Sequence, residues 1–129
     1  MDLKFKKMLW LLGRKSKLSL ENKLLLYKSI IRPIWTYGCQ LWGTAKGSNI
    51  EIIQRFQNKT LRCIAEAPWF ATNQSIHDHC NIEAVKPIIT KISEKYKLRL
   101  EKHENINAVM LLDNSTTIRR LQRQHVLDL

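Results

Sequence analysis

Residues 19–43, SLENKLLLYKSIIRPIWTYGCQLWG, constrain the fold more than any other stretch of the chain. Leu20, Leu24, Tyr27, Ile31, Ile34 and Leu41 recur at gaps of four, three, four, three and seven. That spacing stacks them along one side of a helix. Ser19 is placed to accept a hydrogen bond from a free first-turn N–H, Glu21 suits the positive end of the helix dipole, and Gly43 suits a stop. Pro33 removes the bond to the carbonyl of Ser29, and its ring crowds that turn. A kink is expected there, not a break, because the apolar stripe resumes in phase at Ile34. Trp35, Tyr37 and Trp42 follow within eight residues. Such rings bury large areas only against other elements, so this helix is expected to be the spine of a core that further helices complete.

Those further helices can be read on either side. Residues 3–12 place Phe5, Met8, Leu9 and Leu12 on one face. A basic loop over 13–18 leads into the spine. After Gly47, Ser48 or Asn49 caps a helix to about residue 66, with Ile53, Phe56, Cys63 and Ile64 inward. Pro68 ends it, and APWFATN reads as a turn. Asn73 caps a short helix to about 79. The next helix runs over 83–104 with Val85, Ile89, Ile92, Tyr96 and Leu100 as its stripe, and Pro87 in its first turn does little harm. A weak helix from Asn105 or Asn107 to Leu112 follows, then a loop. No alternation of period two is long enough for a strand. The expectation is an all-α fold: an irregular bundle over 1–112 around one long Pro-kinked helix, with a basic tail or short helix over 113–129. Leu24, Tyr27, Ile31, Tyr37, Trp42, Phe56 and Trp69 are the expected core.

Charge says what such a bundle meets. The 129 residues hold 22 Lys and Arg against 11 Asp and Glu, a net +11 with a pI near 9.9. Nine of those cations and only two acids lie in residues 1–32. The surplus favours a polyanionic partner, nucleic acid before an anionic membrane. Arg55, Lys59 and Arg62 form a line at i, i+4 and i+7; Lys91, Lys95 and Lys102 form a second, partly offset by Glu94 and Glu101. Each line alone is also what a solvated helix face looks like. Together with Arg14, Lys15, Lys28 and Arg32 they suit a phosphate backbone, which positions a duplex without reading its bases. The tryptophans read as core, with Trp69 in its loop the one best placed to stack on a base.

Catalytic signatures are missing from the sequence. Asp2, Asp78, Asp113 and Asp128 form no paired motif, and no Gly-rich phosphate loop occurs. His77, His79, Cys80, Cys63 and His103 lack the spacing of zinc ligands, so neither metal nor cofactor is expected. Cys39, Cys63 and Cys80 are odd in number and irregularly spaced, which suits reduced thiols. No apolar run reaches the roughly 20 residues of a membrane span. The basic, amphipathic start has some character of a mitochondrial presequence, against which Asp2 and the preference for Lys over Arg argue. No targeting segment is identified, and the nucleus or cytoplasm is expected.

The motifs in order resemble a known family. RPIWTYGCQLWG (32–43), preceded by WLLGRKSKLS (10–19) and followed by QRFQNKTLR (54–62), APW (67–69), IH (76–77), HEN (103–105), RRLQR (119–123) and the closing Asp128 and Leu129, is similar to the region after the polymerase core in jockey-type non-LTR retrotransposon reverse transcriptases. The resemblance implies a helical thumb and carboxy-terminal region that grips a template–primer, an RNA–DNA hybrid or either strand, beside a palm domain. The catalytic aspartates would lie upstream, so the chain would not be an enzyme by itself. It departs from the family where Asp and Leu are usual two and three residues after the His; His79 and Cys80 stand there, which questions the cap and core contact at that turn. A helical protein-interaction module, a membrane-surface protein and an inert relic of the element are the competing readings.

Overall fold

A computed structural model of the chain describes residues 2–43 and 47–110. Helices α1 (Asp2–Leu12), α2 (Leu20–Leu26), α3 (Arg32–Thr36), α4 (Cys39–Trp42), α5 (Gly47–Ile64), α6 (Asn73–Cys80), α7 (Val85–Glu101) and α8 (Ile106–Val109) follow one another, and no strand occurs among the described residues. The all-α expectation holds. The expected tail over 113–129 lies outside the described residues. Those up to Tyr37 together with Glu51–Ala84 cluster as one compact unit; Gly38–Ile50 and the residues from Val85 onward cluster as a second.

The expected spine is helical over 20–36, with a π turn immediately before its proline-bearing segment. Ser19 caps it, its Oγ accepting from the Asn22 N–H at 3.4 Å. A π turn over Tyr27–Ile31 follows α2, closed by the Arg32 N–H donating to the Tyr27 carbonyl. The wider turn shifts the ladder so that Pro33 falls in the first turn of α3, where no intrahelical N–H is required. The spine helix ends at Thr36, and Gly43 caps the separate α4 that follows. Tyr37 turns extended in ψ, and Gly38 takes a left-handed φ of 64° that glycine adopts without strain.

In the first unit, Phe5 and Leu12 of α1 meet Tyr27, Ile31, Phe56, Leu61, Ile64, Ile76, Cys80 and Ile82 in one buried cluster. The rings of Phe5 and Phe56 pack edge to face, 5.6 Å between centroids. Each such side chain contributes about 1.5–3 kcal/mol on burial. Of the expected core, Tyr27, Ile31 and Phe56 are buried, and Leu24 and Trp42 are half-buried. Tyr37 and Trp69 are corrections, at 87% and 91% exposed. Tyr37 sits where the chain leaves the helix, and Trp69 sits at the tip of a turn. Trp10 is exposed as well, on the outer side of α1.

Polar side chains complete the same interior. Gln57 is fully buried and donates to the Tyr27 hydroxyl at 3.1 Å and the Glu83 carbonyl at 2.9 Å. His77 Nδ1 donates to the Ile82 carbonyl at 2.8 Å, and Nε2 stands 2.8 Å from Asn58 Oδ1. Lys23 is buried to 3%, its ammonium 3.1 Å from both the Gly13 carbonyl and Glu66 Oε1. Glu66 itself ends α5 in the left-handed region, φ 52°, with the Ala67 N–H closing back on the Arg62 carbonyl at 3.1 Å. Asn81 (φ 50°) ends α6 in the same way.

In the second unit α4 packs on α7. Gly43 leaves room for nothing larger, since an added Cβ would lie 2.5 Å from the Cys39 carbonyl oxygen and 2.9 Å from Ile89 Cγ2. Val85, Ile88, Ile89 and Leu100 are buried along α7, while Ile92 and Tyr96 are half-buried.

Candidate nucleic-acid interface

The basic line on α5 does not act as one. Arg55 is exposed and pairs at 3.4 Å with Glu51, itself exposed, a contact worth little in water. Lys59 is exposed, with its ammonium 5.9 Å from the Phe5 ring centroid. Arg62 is half-buried and taken up internally: its guanidinium donates to the carbonyls of Pro68 and Ala71 and to Asn73 Oδ1. It fastens the turn that follows α5 and faces no solvent line.

What replaces the line is a cationic cluster around Cys63. Lys6 and Lys59 border one hollow of about 360 Å³ with Phe5, Leu9 and Cys63. Burial pushes the Cys63 thiol up; the positive fields of Lys23 and Arg14 oppose that push, and the negative charge of Glu66 adds to it. Two segments therefore meet at the hollow, α1 supplying Lys6 and α5 supplying Lys59, while Arg14 is exposed on the loop that follows α1. Lys15 is exposed next to Arg14. Lys28 is exposed on the π turn, and Arg32 is half-buried with its charge felt at the Tyr27 hydroxyl. Lys6 was legible only as one cation among nine near the amino terminus, and its pairing with Lys59 depends on the packing of α1 on α5.

In the second unit Lys91 and Lys95 are exposed. Lys95, Leu98, Arg99, Lys102, His103 and Glu104 border a shallow hollow of about 530 Å³. Arg99 and His103 join Lys95 there, whereas Lys91 does not border it. Among the described residues no group of three or more His, Cys, Asp or Glu is placed to hold a metal, and no helix is long and apolar enough to cross a membrane. Cys39, Cys63 and Cys80 are all unbridged thiols.

No protein-family model matches the chain, and no solved structure matches it. Curated sequences do. The probable RNA-directed DNA polymerase from transposon X-element of Drosophila melanogaster is 45% identical over 120 residues, 93% of this chain and 13% of that protein. The chain is a homologue of the jockey-type non-LTR transposon polymerases. The RNA-directed DNA polymerase from mobile element jockey of the same fly is 37% identical over 98% of this chain and 15% of its own length. Its Drosophila funebris counterpart is 35% identical over 95% of this chain and 14% of its own. The chain thus spans about one seventh of these jockey-type relatives. The departure at His79 and Cys80 does no local harm to the fold: Cys80 is buried in the core at 2% exposure, and Asn81 closes the helix.

Proposed function

We propose that this chain is the segment of a jockey-type RNA-directed DNA polymerase that holds the template–primer by its phosphate backbone, with no polymerase chemistry of its own. The observation that carries this reading is the meeting of Lys6 and Lys59 at one hollow, with Arg14 exposed on the loop after α1, in a unit with twelve Lys and Arg against six Asp and Glu. Fields of this kind attract polyanions and release their counterions. Lys15, Lys28, Arg32 and Arg55 extend the contact, and in the second unit Lys91 and Lys95 offer phosphate contacts of their own. Catalytic carboxylates belong to the remaining six-sevenths of such a polymerase, whose palm domain would be the protein partner.

Binding of the purified chain to a blunt RNA–DNA hybrid at 50 and 200 mM salt tests the reading. Each phosphate neutralised should add about 0.9 to the slope of log affinity against log salt, the value for duplex DNA. Undetectable or salt-independent binding would overturn it. A second reading, docking of α1 on another protein, is favoured by Leu3 and Trp10, which are 69% and 72% exposed and two turns apart on one face. It predicts concentration-dependent elution on sizing chromatography without affinity for the hybrid.

A further inference from the structure

The turn after α5 holds two aromatic rings out into solvent. Trp69 is 91% exposed and Phe70 70% exposed, and they touch only edge to face, with 5.8 Å between centroids and planes at 85°. Leaving such area wet is costly unless a partner covers it. The backbone beneath them is pinned: Arg62 spans Pro68, Ala71 and Asn73, one residue before the rings and one and three after, and the Ala71 N–H closes the turn on the Pro68 carbonyl at 3.1 Å. A guanidinium that bonds the carbonyls on both sides of two rings fixes their presentation in advance of binding. We propose that Trp69 and Phe70 form a stacking platform for an unpaired nucleobase, at a single-stranded end or overhang of the bound nucleic acid.

The occupant follows from chemistry. The exposed faces of the two rings offer π surface, and the small or polar Pro68, Ala71, Thr72 and Asn73 flank them in sequence. Bases stack on such faces whatever their sequence. The twofold excess of cations over acids in this unit favours the anionic strand that carries those bases. The inference rests on the proposed grip on nucleic acid and adds a site that reads strand state and not sequence.

The test compares the full chain with its Trp69→Ala, Trp69→Phe and Trp69→Ala/Phe70→Ala variants on two labelled RNA–DNA hybrids, one blunt and one with a five-nucleotide overhang. The overhang's extra phosphates act on all four proteins alike, so the double difference isolates the rings. The expected result is about a tenfold loss of overhang affinity in the double variant, less than twofold change on the blunt hybrid, and most of the affinity kept by Trp69→Phe. Equal affinities of wild type and double variant for the overhang, with salt-dependent binding of the blunt hybrid intact, would overturn the platform and leave the grip standing. Absence of salt-dependent binding to either hybrid by the wild type would overturn both. Loss confined to a protein contact, with both hybrids bound as before, would also overturn the platform. Because both rings are exposed, unchanged circular dichroism is expected for every variant.

Discussion

Gln57, Thr60 and His77 are polar and buried, while Trp69 and Phe70 are aromatic and exposed, and all five belong to one compact unit. The buried trio is satisfied by fixed partners: Gln57 by Tyr27 and Glu83, Thr60 by the Phe56 carbonyl at 2.9 Å, His77 by Ile82. The aromatic pair has no such enclosure among the described residues. Polar groups are tolerated inside where partners are supplied, and aromatic rings stay outside where the turn presents them. The polar seam therefore carries stability, and the aromatic turn is free to carry recognition.

The contrast breaks first at Gln57. Gln57→Leu keeps most of the volume but strands the Tyr27 hydroxyl and the Glu83 carbonyl, and should cost about 2–4 kcal/mol in urea unfolding. A loss below 0.5 kcal/mol would show that the seam is not what holds the π turn, α5 and the 81–84 segment together. Lys23→Ala should cost about 2 kcal/mol and Lys23→Met clearly less, because methionine keeps the apolar stem. The ion pair with half-exposed Glu66 adds little to either figure.

Alkaline pH probes the same interior. Burial raises the thiol pKa of Cys39 and Cys80 above the usual 9.0, and that of the Tyr27 hydroxyl above 10.0 against the lowering effect of Gln57. The folded chain therefore keeps protons that the unfolded chain has released. That stabilisation is complete below pH 9 and declines as pH rises through the folded-state values. Unfolding free energy should fall from about pH 9 upward, and Tyr27→Phe should flatten the part above pH 10. At the small end, Trp69→Ala should change stability by less than about 0.5 kcal/mol, since an exposed ring has little packing to lose. A larger loss would place Trp69 in the core after all.

Much of this was legible in the chain. The stripe of Tyr27 and Ile31, the cap at Ser19 and the stops at Gly43 and before Pro68 follow from periodicity and backbone chemistry alone. Tyr37 and Trp69 depart from the expected core because aromatic content does not by itself dictate burial: Gly38 takes the chain out of its helix, and Arg62 fixes an outward turn. Arg62 itself carried the spacing of a surface cation; only the folding-back of residues 67–73 turns it into a bracket. The Lys6–Lys59 pair was illegible for a related reason, since contacts between α1 and α5 span more than 50 residues and leave no local periodicity. The His79 and Cys80 substitution looked disruptive by comparison with the family pattern, yet a thiol packs where an apolar side chain would, and Asn81 readily adopts the left-handed stop.

The grip on phosphate by the cluster around Cys63 is tested most directly by the salt slope of hybrid binding, measured for the wild type and for Lys6→Ala and Lys59→Ala. A steep wild-type slope that falls by about one unit in each variant is the predicted result. A slope unchanged by both substitutions, or a wild-type affinity indifferent to salt, would contradict it.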